Sequence, residues 1–143
     1  MLTTDEIFYN ILKADEDLMA ATKGRIYNIC IESSPYEKDK TPLPYIIVMY
    51  DGMTNDQDTK DDEYEGDTDN EIISIEVAAL SREDVGNIMQ KIRLATHRYM
   101  KSHSDEEGTP SSYDLSASGV AWDWTKPCYY QRLIYNCSTK SEL

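Results

Sequence analysis

The chain has 143 residues, 27 acidic and 14 basic side chains, and a formal net charge of −13; such a balance disfavours non-specific adhesion to nucleic acid or anionic membrane, since both need clustered Lys and Arg. Its hydrophobic content of 40% suits one soluble domain over residues 1–143, long enough to bury about 68–70% of its unfolded surface without disulfides or metal. Cys30, Cys128 and Cys137 form no C-x-x-C pair, which gives neither a disulfide framework nor a zinc site; small buried thiols in a reduced compartment are the simpler reading.

Met1 to Glu6 lacks the basic start and apolar run of a signal peptide, and no apolar stretch approaches the ~20 residues of a membrane helix. Thr3 or Thr4 can cap a first helix, with Asp5 and Glu6 in its first turn. Ile7, Phe8, Ile11 and Leu12 then form one apolar stripe. Asp15 caps a second short turn carrying Leu18 and Met19, and Gly24 supplies a left-handed stop. Ile26 to Ile31 reads as a short strand or an extended arm, and Glu32 to Pro44 as a polar loop. Tyr45 to Tyr50, rich in β-branched and aromatic residues, predicts a buried strand ended by Asp51-Gly52.

Between 51 and 71 stand ten acids: Asp51, Asp56, Asp58, Asp61, Asp62, Glu63, Glu65, Asp67, Asp69 and Glu71. Lys60 is the lone base there, so this stretch carries nine of the thirteen net negative charges. Such a block repels itself and predicts a mobile, solvated loop or the tip of a long hairpin. Ile72 to Leu80 alternates as a strand. Ser81-Arg82-Glu83-Asp84 opens a helix whose Val85, Ile88, Met89, Ile92, Ala95 and Tyr99 share one face. Lys91, Arg93, Arg98 and Lys101 occupy its other side and later turns, where cations suit the helix dipole. A polar loop at 103–112 precedes two final strands, Leu115–Trp124 and Tyr129–Cys137, with a turn at Pro127. The order predicts an α+β fold: a mostly antiparallel sheet of about four to five strands, with one long and one or two short helices on one face.

The acids do not make an EF-hand. Asp61, Glu63, Glu65 and Gly66 fit positions 1, 3, 5 and 6, but Ile72 stands at position 12, where a bidentate Glu is required. His97 and His103 are six residues apart, not the three or four of a helical metal pair. No phosphate loop, G-x-S-x-G or H-E-x-x-H occurs. We read no catalytic, cofactor-binding or metal site. Arg25, Tyr27 and Tyr45 are candidate subunit-interface residues, because Arg and Tyr are enriched at subunit contacts. The alternative for Arg25 and Tyr27 is an exposed cation and a half-buried ring, and the eleven tyrosines as a set suit either a core or an interface.

One ordered series of motifs goes further. It runs through Ile7–Leu12, Asp15 with Leu18, Gly24-Arg25-Ile26-Tyr27, then Leu43-Pro44-Tyr45 leading into a strand to Tyr50. It continues through Ile72–Leu80, Val85–Tyr99 with its Ile92-Arg93, and Tyr129-Tyr130-Gln131-Arg132. This series resembles the tail-completion (tail terminator) proteins of long-tailed bacteriophages, over residues 4–101 and more weakly to 138. The chain departs from the family in its acid-rich 51–71 stretch and its 103–112 loop.

The resemblance implies a structural protein rather than an enzyme. It would be a homo-oligomeric ring, commonly a hexamer, at the tail–head junction of a virion, assembled in the host cytoplasm. Its partners would be the tail tube protein and the head connector, with double-stranded DNA passing through unbound. Asp56, Asp58, Asp61, Asp62, Glu63, Glu65, Asp67 and Asp69 would then face the lumen or a partner; an acidic lumen repels a polyanion and keeps it from sticking. The rival readings are a head-completion protein of the same neck and an acidic DNA mimic that occupies a DNA-binding protein.

Overall fold

The structure is a computed structural model that describes residues 3–29, 40–56, 68–103, 110 and 112–140. Helix α1 (Thr4–Ala14) turns Ile7, Phe8, Ile11 and Leu12 inward. Thr3 precedes it in extended conformation, but its hydroxyl bonds the Glu6 carboxylate at 2.9 Å and caps no amide. Asp15 ends α1 and caps α2 (Glu16–Thr22), its carboxylate accepting from the Leu18 amide at 2.9 Å. Two consecutive left-handed residues stop α2, Lys23 at φ 53° and Gly24 at φ 77°. Gly24 is left-handed as expected; Lys23 takes the first left-handed position, and the Gly24 amide closes onto the Met19 carbonyl at 2.9 Å.

The sheet follows in chain order as β1 (Ile26–Asn28), β2 (Tyr45–Asp56) and β3 (Thr68–Ala79), and after α3 (Arg82–Ser102) as β4 (Ser112–Ala117), β5 (Ala121–Asp123) and β6 (Cys128–Lys140). Its spatial order is β1-β2-β3-β6-β4, with β5 also on β6. Among the described residues, only the β1–β2 pairing is parallel. The fold is α+β, with six strands among the described residues where about four to five were expected. The extra one arises because Leu115–Trp124 is two strands, not one. Between them the Ser118 amide donates to the Arg132 carbonyl at 3.0 Å, and the Ser118 hydroxyl accepts from the Arg132 amide at 3.0 Å. The serine thereby keeps β6 satisfied while the register slips by one residue.

A second correction concerns Asp51-Gly52, which does not end β2. The pairing with β3 shifts between Tyr50 and Gly52, then continues to Asp56 opposite Thr68. Gly52 sits at φ 140°, a backbone open to glycine and costly for other residues. A bulge admits one extra residue without breaking the ladder. Most of the 51–71 stretch outside 57–67 is thus hairpin strand. The solvated-loop reading of 57–67, like Cys30 and most of the 103–112 loop, lies outside the described residues.

All three helices pack on one face of the sheet. Phe8, Leu12, Leu18, Val85 and Ile92 meet Ile26, Ile46, Val48, Ile73, Ile75, Val77, Leu133 and Tyr135 in one core. Each such side chain contributes roughly 1.5–3 kcal/mol on burial. Ser81 caps α3 as expected, accepting from the Asp84 amide at 3.1 Å. At the far end of the core, Asn28 donates to Asp5 at 2.9 Å, and both side chains are buried. The opposite sheet face carries a smaller cluster of Tyr45, Ile47, Ala78 and Cys128, flanked by Tyr27, Leu43, Met49 and Tyr130. Cys128 and Cys137 are nine residues apart on β6, so the pleat sends them to opposite faces. Both are buried. The tyrosines divide: Tyr45 and Tyr135 are buried, while Tyr9, Tyr27, Tyr50, Tyr99, Tyr113, Tyr129 and Tyr130 are half-buried around the two cores.

Candidate interaction surfaces

Three short segments meet at one corner of the sheet. Arg25, just past the α2 stop, donates from Nε to the Pro44 carbonyl at 3.0 Å and from Nη2 to the Leu43 carbonyl at 2.9 Å. Its own carbonyl accepts from the Ile46 amide at 3.0 Å, which starts the parallel β1–β2 ladder. Lys126, in the turn before β6, donates to the Thr41 carbonyl and lies over the Tyr45 ring, 4.9 Å from its centroid. Asp123 fixes that turn by accepting from the Thr125 amide at 2.9 Å and the Thr125 hydroxyl at 2.7 Å.

Of the expected interface residues, Arg25 is therefore not a freely exposed cation. It holds the chain that leads into β2. Tyr45 is 2% exposed and cannot touch a second copy directly. Tyr27 is half-buried on the edge strand, on the face away from the helices, and is the one of the three placed at a surface. Beside it the helix-free face holds a cavity of about 240 Å³ lined by Tyr45, Glu76, Asp123, Cys128, Tyr130 and Arg132. Arg132 pairs with Glu76 across it at 3.2 Å.

The acids distribute unevenly along the β2–β3 hairpin. Asp51 accepts from the Ser74 hydroxyl. Glu71 lies under the start of α1, where it accepts from the Thr4 hydroxyl and, at 3.2 Å, from the Tyr50 hydroxyl. Burial and the neighbouring Glu71 carboxylate push the Tyr50 phenol up to about 12. Asp69 is half-buried, and the Asp56 backbone pairs with Thr68 at the last described rung. Asp58, Asp61, Asp62, Glu63, Glu65 and Asp67 lie outside the described residues.

A third surface was not singled out from sequence. The outer side of α3 exposes Arg93, Leu94, His97, Arg98 and Lys101. A simple count would have found it, because residues 85–103 hold four cations and no acid. Beside it an apolar groove of about 520 Å³ runs between α1 and α3, lined by Ile7, Ile11, Ala14, Ala95 and Tyr99 with Arg98 among its walls. Among the described residues, no helix is long and apolar enough to cross a membrane. Comparison with protein-family models and with curated protein sequences gives no match for this chain.

Proposed function

We propose that this protein is a structural assembly part, a ring-forming completion protein of the phage-tail type, with no catalytic role. The observation that carries the reading is the corner at Arg25. Two of the short motifs that carry the resemblance, Gly24–Tyr27 and Leu43–Tyr45, are one physical unit here, tied by the Arg25 guanidinium and the first rung of the β1–β2 ladder. Motifs that met by accident would have no reason to brace each other. The ring would cap a finished tail tube and join it to the head connector. Double-stranded DNA would pass without binding, because a chain of net charge −13 repels it.

The test is the solution mass by light scattering over a range of protein and salt concentrations, followed by addition of the protein to growing tail tubes. A hexamer-sized species that arrests tube growth is the expected outcome. Failure to arrest tubes in either oligomeric state overturns the reading. A monomer that instead binds a basic DNA-binding protein, with affinity falling steeply in salt, would favour the DNA-mimic reading, for which the acid-rich hairpin is the favouring observation.

A further inference from the structure

We propose that the basic outer face of α3 is a docking surface for the acid-rich hairpin segment, residues 56–67, of a second copy of this chain. The inference rests on the self-assembling part of the function proposed above.

Charge in this chain is segregated. Residues 51–71 carry nine net negative charges, whereas residues 85–103 carry Lys91, Arg93, Arg98 and Lys101 with no acid between them. Arg93, His97 and Lys101 recur every four residues and so form one row about 12 Å long. Leu94 is 44% exposed, and Lys91, His97 and Arg98 are its neighbours at three and four residues. An apolar centre with a polar rim is the usual anatomy of a contact patch. Among the described residues, none of the four cations takes part in an ion pair.

Nor do the described residues of the same copy's hairpin pair with these cations. Two residues separate the end of β3 from the start of α3, whose Thr96 hydroxyl lies 2.7 Å from that of Tyr135, which pairs with Ile73. The helix therefore runs back along β3. From that level α3 has six residues left to Ser102, about 9 Å, while β3 has five left to Thr68, about 16 Å. Thr68, the first described residue of β3, thus lies beyond the level of the last turn of α3. Met53 pairs with Glu71, whose side chain meets the start of α1, yet Met53 is 52% exposed, so the helical layer leaves the β2 side of this end uncovered. The donor and acceptor patches are different, so each copy gives one contact and takes one. Such a heterologous contact closes into a ring when its rotation divides a full turn.

The experiment measures mass by light scattering on the full chain and two charge-reversed variants. One carries Arg93→Glu, Arg98→Glu and Lys101→Glu; the other carries Asp61→Lys, Asp62→Lys, Glu63→Lys and Glu65→Lys. The parent should form a multi-subunit species at 50 mM salt and lose it at 1 M, where the screening length shrinks to about 3 Å. Each variant alone should have the mass of a monomer, and a one-to-one mixture should regain the parent's mass. Recovery on mixing excludes misfolding as the cause of either loss. A parent that stays monomeric at every concentration, a variant that assembles like the parent, or a mixture that stays monomeric overturns the inference. The two proposals fail separately: assembly by this contact without tube capping ends the tail reading, and capping by a protein with no such contact ends this one.

Discussion

The two ends of the β2–β3 hairpin are built on opposite principles. Near the α3 start, Ile46, Val48, Ile75 and Val77 lie under three helices with almost no exposed surface. Past the bulge at Asp51, the same two strands carry Met53, Asp69 and Glu71, and the helical layer thins to the start of α1. One end is ordered by burial of apolar area. The other is ordered by the ladder and by a few hydroxyl–carboxylate bonds, such as those of Thr4 and Tyr50 to Glu71. Stability should therefore reside in the covered end, and association in the uncovered one.

The largest break in this contrast should come from truncation at the covered end. Ile75→Ala removes a fully buried side chain and should cost about 2–5 kcal/mol; Met53→Ala, on the same hairpin, should stay within about 0.5 kcal/mol. Urea unfolding of the two variants checks both. Equal costs would mean that the distal ribbon is as tightly packed as the core.

Alkaline pH gives the next effect. Burial, and secondarily Glu71, pushes the Cys137 thiol up to about 12. A thiol that ionises near its ordinary value in the unfolded chain stabilises the fold fully below pH 9 and loses that contribution as pH rises from 9 to 12. The loss should be about 1.4 kcal/mol per pH unit in that window. Burial also pushes the Tyr135 phenol up, so its contribution fades at still higher pH. Melting temperature measured from pH 7 to 11 should be level and then fall, and Cys137→Ala should make the fall shallower.

Arg25→Ala comes third, at about 1–3 kcal/mol, because it strands two carbonyls at a partly covered corner. Arg25→Lys should recover only part of this, since an ammonium cannot present the same planar fork. Smallest of all should be the effect of Asp61→Asn, Asp62→Asn, Glu63→Gln and Glu65→Gln together. Thermal unfolding of that variant should match the parent within a few degrees, or lie above it as repulsion is relieved. A large loss of stability would show that the acid-rich segment belongs to the folding core.

What was legible in the sequence was local. The caps at Asp15 and Ser81 could be read because each side chain reaches an amide three residues on. The apolar face of α3 could be read from its period. The bulge at Asp51 could not, because Asp-Gly looks the same whether a strand ends or kinks, and the difference lies in a partner twenty residues away. The break at Ser118 depends likewise on Arg132. Arg25 looked exposed because its acceptors are backbone carbonyls 18 and 19 residues ahead, which leave no mark in side-chain pattern. The charge segregation behind the proposed contact was countable throughout, whereas the exposure of the α3 cations needed the fold.

The chain's two tryptophans both stand in or beside the turn that Lys126 fastens to Thr41 and Tyr45. Trp124 is 85% exposed, and the Trp122 ring meets Trp124 at 5.9 Å and Tyr129 at 4.8 Å. Intrinsic fluorescence is consequently a local gauge, reading one corner and nearly blind to the helical layer. Set beside far-ultraviolet circular dichroism, it asks whether that corner opens with the sheet or ahead of it: coincident transitions mean a single cooperative unit, and an earlier fluorescence change means a latch that releases first.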